Sequence, residues 1–351
     1  RPYSFGRPSS GGSKAAYPCK SYGQGRINPA YFYGVFDPND MRRDVSITMT
    51  GSNGKGVEKL IPFVPNSKAE GGGLTLNKWD ENRQANPWVA AQRKSGINGP
   101  YMRMSEVYLG YAEVCAALGD VVTGKQYLKT VRERSFPQGL ANTDAFIASF
   151  GNDLVRAIIE ERGFEYAGEG DRRWTLIRSG YLPEDIKRIK DMTKAMMDGL
   201  ATKGYYEFEN GNIISAYIWT KLVDAKTIYG HRLTAQCPTD KVNDPVLYPG
   251  WRGQKDNWEE MGLNYGSSTP ATNLAIKGLF EIVSEEEAAS LESQGYTKVN
   301  WGIDLVDNRD EYDKYLFWDY DYVSAPIYLW PFTPNVMAAG GFTNGYGFKQ
   351  E

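Results

Sequence analysis

With 351 residues, 40 basic and 43 acidic side chains and a net charge of −3, the chain is long enough to bury a sizeable core, and it has no basic surplus for nucleic acid. No apolar run reaches the ~18 residues of a membrane-spanning helix, no charge block marks a disordered tail, and the chain opens at Arg1 without a signal-peptide pattern. Three dispersed cysteines (Cys19, Cys115, Cys237) and a single histidine, His231, argue against a His-based metal site or a Ser-His-Asp triad, so no metal or cofactor is expected.

Taken in chain order, the sequence divides into three stretches: a loop-rich segment with short strands over 1–100, a helical region over 101–200, and an aromatic-rich region of loops and short helices over 201–351 packed on the same domain. Residues 1–27 are rich in Gly, Ser, Arg and Tyr without periodicity and read as loop or linker. In FDPNDMRRDVSITMT (36–50), a turn at Pro38-Asn39-Asp40 precedes an alternating strand with Val45, Ile47 and Met49 on one face. The glycines at 51–56 and 71–73 lack the context of a phosphate-binding loop and read as turns.

From residue 101 the period becomes helical. In YMRMSEVYLGYAEVCAALGD, Met104, Val107, Tyr108, Tyr111, Ala112, Cys115 and Leu118 recur at spacings of three and four, and Gly119 closes the helix. A second helix over about 122–134 carries Tyr127, Leu128 and Val131 on one face, with Ala112 and Ala116 at the crossing. The pair looks like one tetratricopeptide hairpin, and a single hairpin cannot bury its apolar face alone, so partner hairpins are expected. A third helix spans about 153–167 with Asn152 as cap and Leu154, Ala157, Ile158, Glu161 and Phe164 on one face. A fourth follows Pro183 with Ile186, Ile189, Thr193, Met196 and Leu200 in register. Ser284 and Glu287 make a capping box for a short helix that Gly295 ends.

Three stretches, FDPNDMRRD (36–44), RMSEVYLGYAEVCAALGD (103–120) and IIEERGFEYAGEGDRRWTLIRSG (158–180), together resemble the SusD/RagB family in order and spacing. A Pro-containing stretch followed by an Asn- and Gly-rich tail, YLWPFTPNVMAAGGFTNGYGF, adds to the likeness. The resemblance implies a mainly α fold of TPR-like helical hairpins with long aromatic-rich loops and a few short strands. It also implies a lipid-anchored surface protein of the Bacteroidetes outer membrane that binds an oligosaccharide or glycan, or in some relatives a peptide, for a TonB-dependent barrel transporter. Family members are longer and begin with a lipidated cysteine ahead of further TPR helices, so this chain is read as the C-terminal part of such a protein.

Candidate chemistry falls in two places. ERGFEYAGEGDRRW (161–174) sets Glu161, Glu165, Glu169 and Asp171 among Arg162, Arg172 and Arg173. A carboxylate pair there could serve glycoside hydrolysis, but the arginines favour ionised carboxylates and a structural corner instead. YPGWRGQKDNWEEMGLNY (248–265) sets Tyr248, Trp251 and Trp258 beside Arg252, in turn-rich sequence. Rings that stack on sugar C–H faces beside groups that bond hydroxyls make this a glycan-binding candidate, although such rings more often pin a loop to its body. Trp301, in VNWGID, is a further ligand-binding candidate, as are Trp79 and Trp88. FWDYDY (317–322) reads as a strand with a buried ring face, and the aspartates at 304, 307, 310 and 313 lack the glycine and ligand spacing of a calcium loop.

Overall fold

A computed structural model of the chain describes residues 28–52, 58–60, 75–76, 78, 100–137, 139–224, 272–302, 306–307, 332–341 and 343. Among these the fold is mainly helical with short strands, as the resemblance implies. A π-helical turn, Ala30–Val35, buries Ala30, Phe32, Tyr33 and Gly34. Helix α1, Met41–Ser46, follows, with the Asp40 carboxylate accepting from the Arg42 backbone N–H at 3.0 Å. Val45 therefore belongs to a helix, and the expected strand begins only at Ile47. The physical reason is the Asp40 cap: once it seats, helical spacing sends Arg42 towards Glu161 and Arg43 over the Phe280 ring, 3.9 Å from its centroid. Strands β1 (Ile47–Thr48) and β4 (Thr75–Leu76) then pair antiparallel, as do β2 (Thr50–Ser52) and β3 (Glu58–Leu60).

Helices α2 (Met104–Ala117) and α3 (Val121–Glu133) form the expected hairpin, turned by Gly119 at φ 88° and capped by Asp120. The crossing uses Gly124, whose missing side chain lets the helix lie against the Ala112 carbonyl and Leu154. The buried face of α2 matches the expected one in part, since Ala112 and Cys115 are buried and Tyr108 packs on the core. Leu109, Ala112 and Cys115 point inward with Ser105, while Met104, Val107, Tyr111, Val114 and Leu118 are exposed. Because α2 is apolar nearly all round, its sequence contains two stripes at helical spacing, and only packing chooses between them. Of the outer stripe, Tyr111 rests edge-on against the Tyr127 ring at 5.0 Å and stays half exposed.

After α4 (Thr143–Ala148), helix α5 (Leu154–Glu165) is capped by Asp153 rather than Asn152, which instead takes the left-handed conformation at φ 64°. Helix α6 (Arg172–Ser179) ends at Gly180, and α7 (Leu182–Lys203) carries Pro183 in its first turn and ends at Gly204. A hairpin of β5 (Tyr205–Glu207) and β6 (Ile213–Ser215) leads into an antiparallel sheet in the order β8-β7-β9, built from β7 (Tyr217–Asp224), β8 (Thr272–Lys277) and β9 (Thr297–Asn300). Between β8 and β9 lies α8 (Glu285–Ser293), with the Ser284–Glu287 capping box formed as expected. A short helix α9, Pro334–Gly340, completes the described chain.

The main core gathers Phe32, Tyr33 and Phe36 from the first segment, Phe164 from α5, Met196, Met197 and Leu200 from α7, and Ile218, Ile276 and Trp301 from the sheet region. It depends on Gly34. A Cβ there would lie 2.3 Å from the Phe208 ring, well inside van der Waals contact. We expect Gly34→Ala to destabilise the fold by about 1–3 kcal/mol, whereas Gly110→Ala, in an open helical position, should be neutral or stabilising by up to ~1 kcal/mol. Urea denaturation of both variants checks the contrast.

Candidate functional site

Helix α5 is buried along almost its whole length, yet it carries Glu160, Glu161 and Glu165. Glu160 and Glu161 are each 0% exposed, a position that ionised carboxylates occupy only when paired. Their partners come from outside the helix. Glu161 accepts from Arg42 at 2.6 Å and from Arg132 at 3.0 Å. One turn on, Glu165 accepts from Arg103 at 2.6 Å, from Arg134 at 2.7 Å and from Arg42 at 3.1 Å. Arg42 thus bridges two carboxylates that helical geometry stacks one above the other. Glu160 leaves the helix in a different direction and meets Arg172 at 2.7 Å and Arg188 at 3.1 Å, and both arginines also hold Asp185.

The same arginines fix the backbone at the end of α5. Arg103 and Lys78 donate to the Glu165 carbonyl, at 3.1 and 2.7 Å, and Arg172 donates to that of Ile159 at 3.1 Å. Arg162 pairs with Asp171 at 2.6 Å across the Gly168–Gly170 turn, while Lys78 and Arg103 both hold Glu169. Phe164 and Tyr166 are buried between these charges, whereas Trp174 is half exposed.

This electrostatics decides the chemistry. Burial alone would push the Glu165 carboxyl up, but Arg42, Arg134 and Arg103 outweigh it and hold the carboxyl at about 2. Asp185 is likewise held below the usual carboxylate range, its burial outweighed by Arg172 and Arg188. A general acid must keep its proton near neutral pH, and these groups have lost theirs. The charges of 161–174 serve as a scaffold, as the arginine-rich sequence suggested.

The other sequence candidates fare differently. Tyr248, Trp251, Arg252 and Trp258 lie outside the described residues, as do Trp79, Trp88 and the FWDYDY stretch. Trp301 is a correction. It is 6% exposed, packs edge-on against Tyr33, and donates its indole N–H to the Ser215 carbonyl at 2.7 Å, so its ring faces the core and offers no surface to a ligand. Among the described residues no cluster of His, Cys, Asp or Glu could hold a metal ion.

Two clefts flank α7, and the sequence reading found neither. One, of about 480 Å³, opens between Val35, α7 and the β5–β6 hairpin, with Arg188, Asp191, Tyr206 and Glu209 on its walls. The other, of about 600 Å³, lies beside the Gly168–Gly170 turn and is walled by Phe32, Leu76, Tyr166 and Ile189, with Arg172 and Arg173 at its edge. Each draws on segments more than a hundred residues apart, so no local motif announces it.

The described residues thus form a helical scaffold tied by arginine–carboxylate pairs, with clefts on either side of α7. A profile of the SusD family matches residues 7–331, and the chain belongs to that family. The chain is also similar to SusD-like protein P25 of Formosa agariphila, at 28% identity over 160 residues, which is 45% of this chain and 26% of the relative. The match thus spans about a quarter of that relative's length. No solved structure matches.

Replacing Glu165 by Gln should cost about 3 kcal/mol, the scale of unpairing a buried charge. Because the folded carboxyl is held at about 2 against an ordinary 4.5, its stabilisation is fully present above the ordinary value. That stabilisation is lost as pH falls from there towards 2. Denaturant midpoints measured across that window should fall steeply for the native chain and less steeply for Glu165→Gln.

Proposed function

We propose that the protein captures an oligosaccharide or glycan at the bacterial surface and hands it to a TonB-dependent outer-membrane transporter, without breaking a bond and without a cofactor. The family match over 7–331 carries this reading. The α5 carboxylates support it by being engaged with arginines, with Glu165 held at about 2 and so unfit as a general acid. The 248–265 stretch supports it by chemistry: Tyr248, Trp251 and Trp258 supply ring faces for sugar C–H groups, and Arg252 supplies donors for hydroxyls. Attachment to the outer membrane is assigned to a lipid anchor in keeping with the family, and among the described residues no helix is long and apolar enough to cross a membrane.

Titration of the chain with soluble glycans and a mixed peptide library, followed by tryptophan fluorescence and by product analysis of the same samples, tests the proposal. The expected result is saturable binding to one glycan class with no products. Trp251→Ala and Trp258→Ala should each weaken binding roughly tenfold, the worth of about 1.4 kcal/mol of stacking. Cleavage products, or binding to peptides alone, would overturn glycan capture.

A further inference from the structure

The β8-β7-β9 sheet has two unlike faces. Alternation along β7 sends Ile218 into the core at 0% exposure and puts Tyr217, Trp219 and Lys221 on the other side. In the ladder Trp219 stands opposite Lys277 of β8 and Lys298 of β9, so two lysines flank one indole in a row across three strands. Lys298 holds its ammonium 4.6 Å from the Tyr217 ring centre and 5.4 Å from that of Trp219. Lys221 and Lys277 both approach Tyr296, at 5.7 and 5.6 Å.

Three ammonium groups and three rings therefore share one sheet face, where Trp219 is buried at 3% exposure and Tyr217 and Tyr296 are the rings that reach solvent. None of the three lysines has a carboxylate partner within salt-bridge distance among the described residues, and Lys221 donates only to the Gln294 carbonyl, at 2.7 Å. The acidic group that senses Lys277 is Glu281, whose carboxyl burial pushes up, with Glu287 adding and Lys277 opposing. Glu287 itself is turned into the capping box with Ser284. Two polar atoms of the same face, Trp219 Nε1 and Asn300 Oδ1, are buried without a hydrogen-bond partner. The rings offset part of the repulsion between like charges gathered on one sheet face, and a bound anion would relieve the rest.

We propose that this face binds an acidic saccharide. The rings of Tyr217 and Tyr296 stack on the sugar, and Lys221, Lys277 and Lys298 pair with its carboxylate or sulfate groups. The proposal rests on the glycan-capture reading and names the ligand class within it. Charge complementarity selects the occupant, and the interleaved rings fit a sugar better than a bare phosphate surface. The chain's net charge of −3 gives no general attraction for polyanions, so the attraction is local to this face.

The test is calorimetric titration of the full chain with three oligosaccharides of equal length, one neutral, one bearing uronate groups and one sulfated, at low and high salt, with anionic lipid vesicles as a fourth arm. The expected result is binding to an acidic oligosaccharide, weakened by salt, with the neutral one at least roughly tenfold weaker. Lys277→Gln with Lys298→Gln should lower the affinity about tenfold at an unchanged thermal midpoint. Lys129→Gln, on α3 with its own partner Glu133, should leave the affinity unchanged. Equal binding of the neutral sugar, or wild-type affinity in the double variant, would overturn this site while glycan capture stands. Tighter association with vesicles than with any sugar would reassign the face to membrane. Binding to no glycan would overturn both readings.

Discussion

Three carboxylates on one buried helix are the constraint around which the rest of the structure is arranged. Helix α5 cannot neutralise Glu160, Glu161 and Glu165 from within, so cations must arrive from elsewhere in the chain. Arg42 comes from α1, Arg103 from the start of the hairpin, Arg132 and Arg134 from its end, and Arg172 and Arg188 from α6 and α7. Each pairing fixes the position of the element that carries the arginine. A buried charge left alone costs several kcal/mol, so the segments either assemble around α5 together or leave a charge stranded.

That corner sets what the surface can do. With α5 fixed, α7 is held by Arg172, Arg188 and Asp185 at its first turns, and its other end delivers the β5–β6 hairpin and then the sheet. The clefts on either side of α7 and the cationic face of the sheet follow from this placement. A scaffold whose buried α5 carboxylates are paired internally leaves recognition to loops and sheet faces, where side chains can change without disturbing the core. Division of this kind suits a capture protein, which needs a constant body and a variable surface.

Much of the framework could be read in the sequence. Helical periodicity located α2, α3, α5 and α7, and short-range chemistry located the Ser284–Glu287 box and the glycine at 119. Those signals act within a few residues, where propensity and capping are decided. What was missed depends on distant partners. The strand expected from Val45 became helix because Asp40 caps it and Arg42 and Arg43 have distant partners, Glu161 and Phe280. The buried stripe of α2 is legible only in part: Ala112 and Cys115 pack inward as their spacing implies, whereas Leu109, set against Leu128 and Leu154, is buried in place of Met104, Val107, Tyr111 and Leu118. Trp301 looked available only because sequence carries no burial. The cationic sheet face combines residues from three strands up to eighty positions apart, and no window along the chain contains them.

The most direct measurement is the ionisation of Glu165 itself, followed by carbon NMR of the side-chain carboxyl in the folded protein as pH is lowered. If the arginines clasp this carboxylate as described, its resonance stays at the ionised position through neutral and mildly acidic pH and moves only as the pH approaches about 2. A midpoint at the ordinary 4.5 or above would contradict the account. It would mean that the corner does not hold its charges as described, and it would return the α5 carboxylates to consideration as catalytic groups.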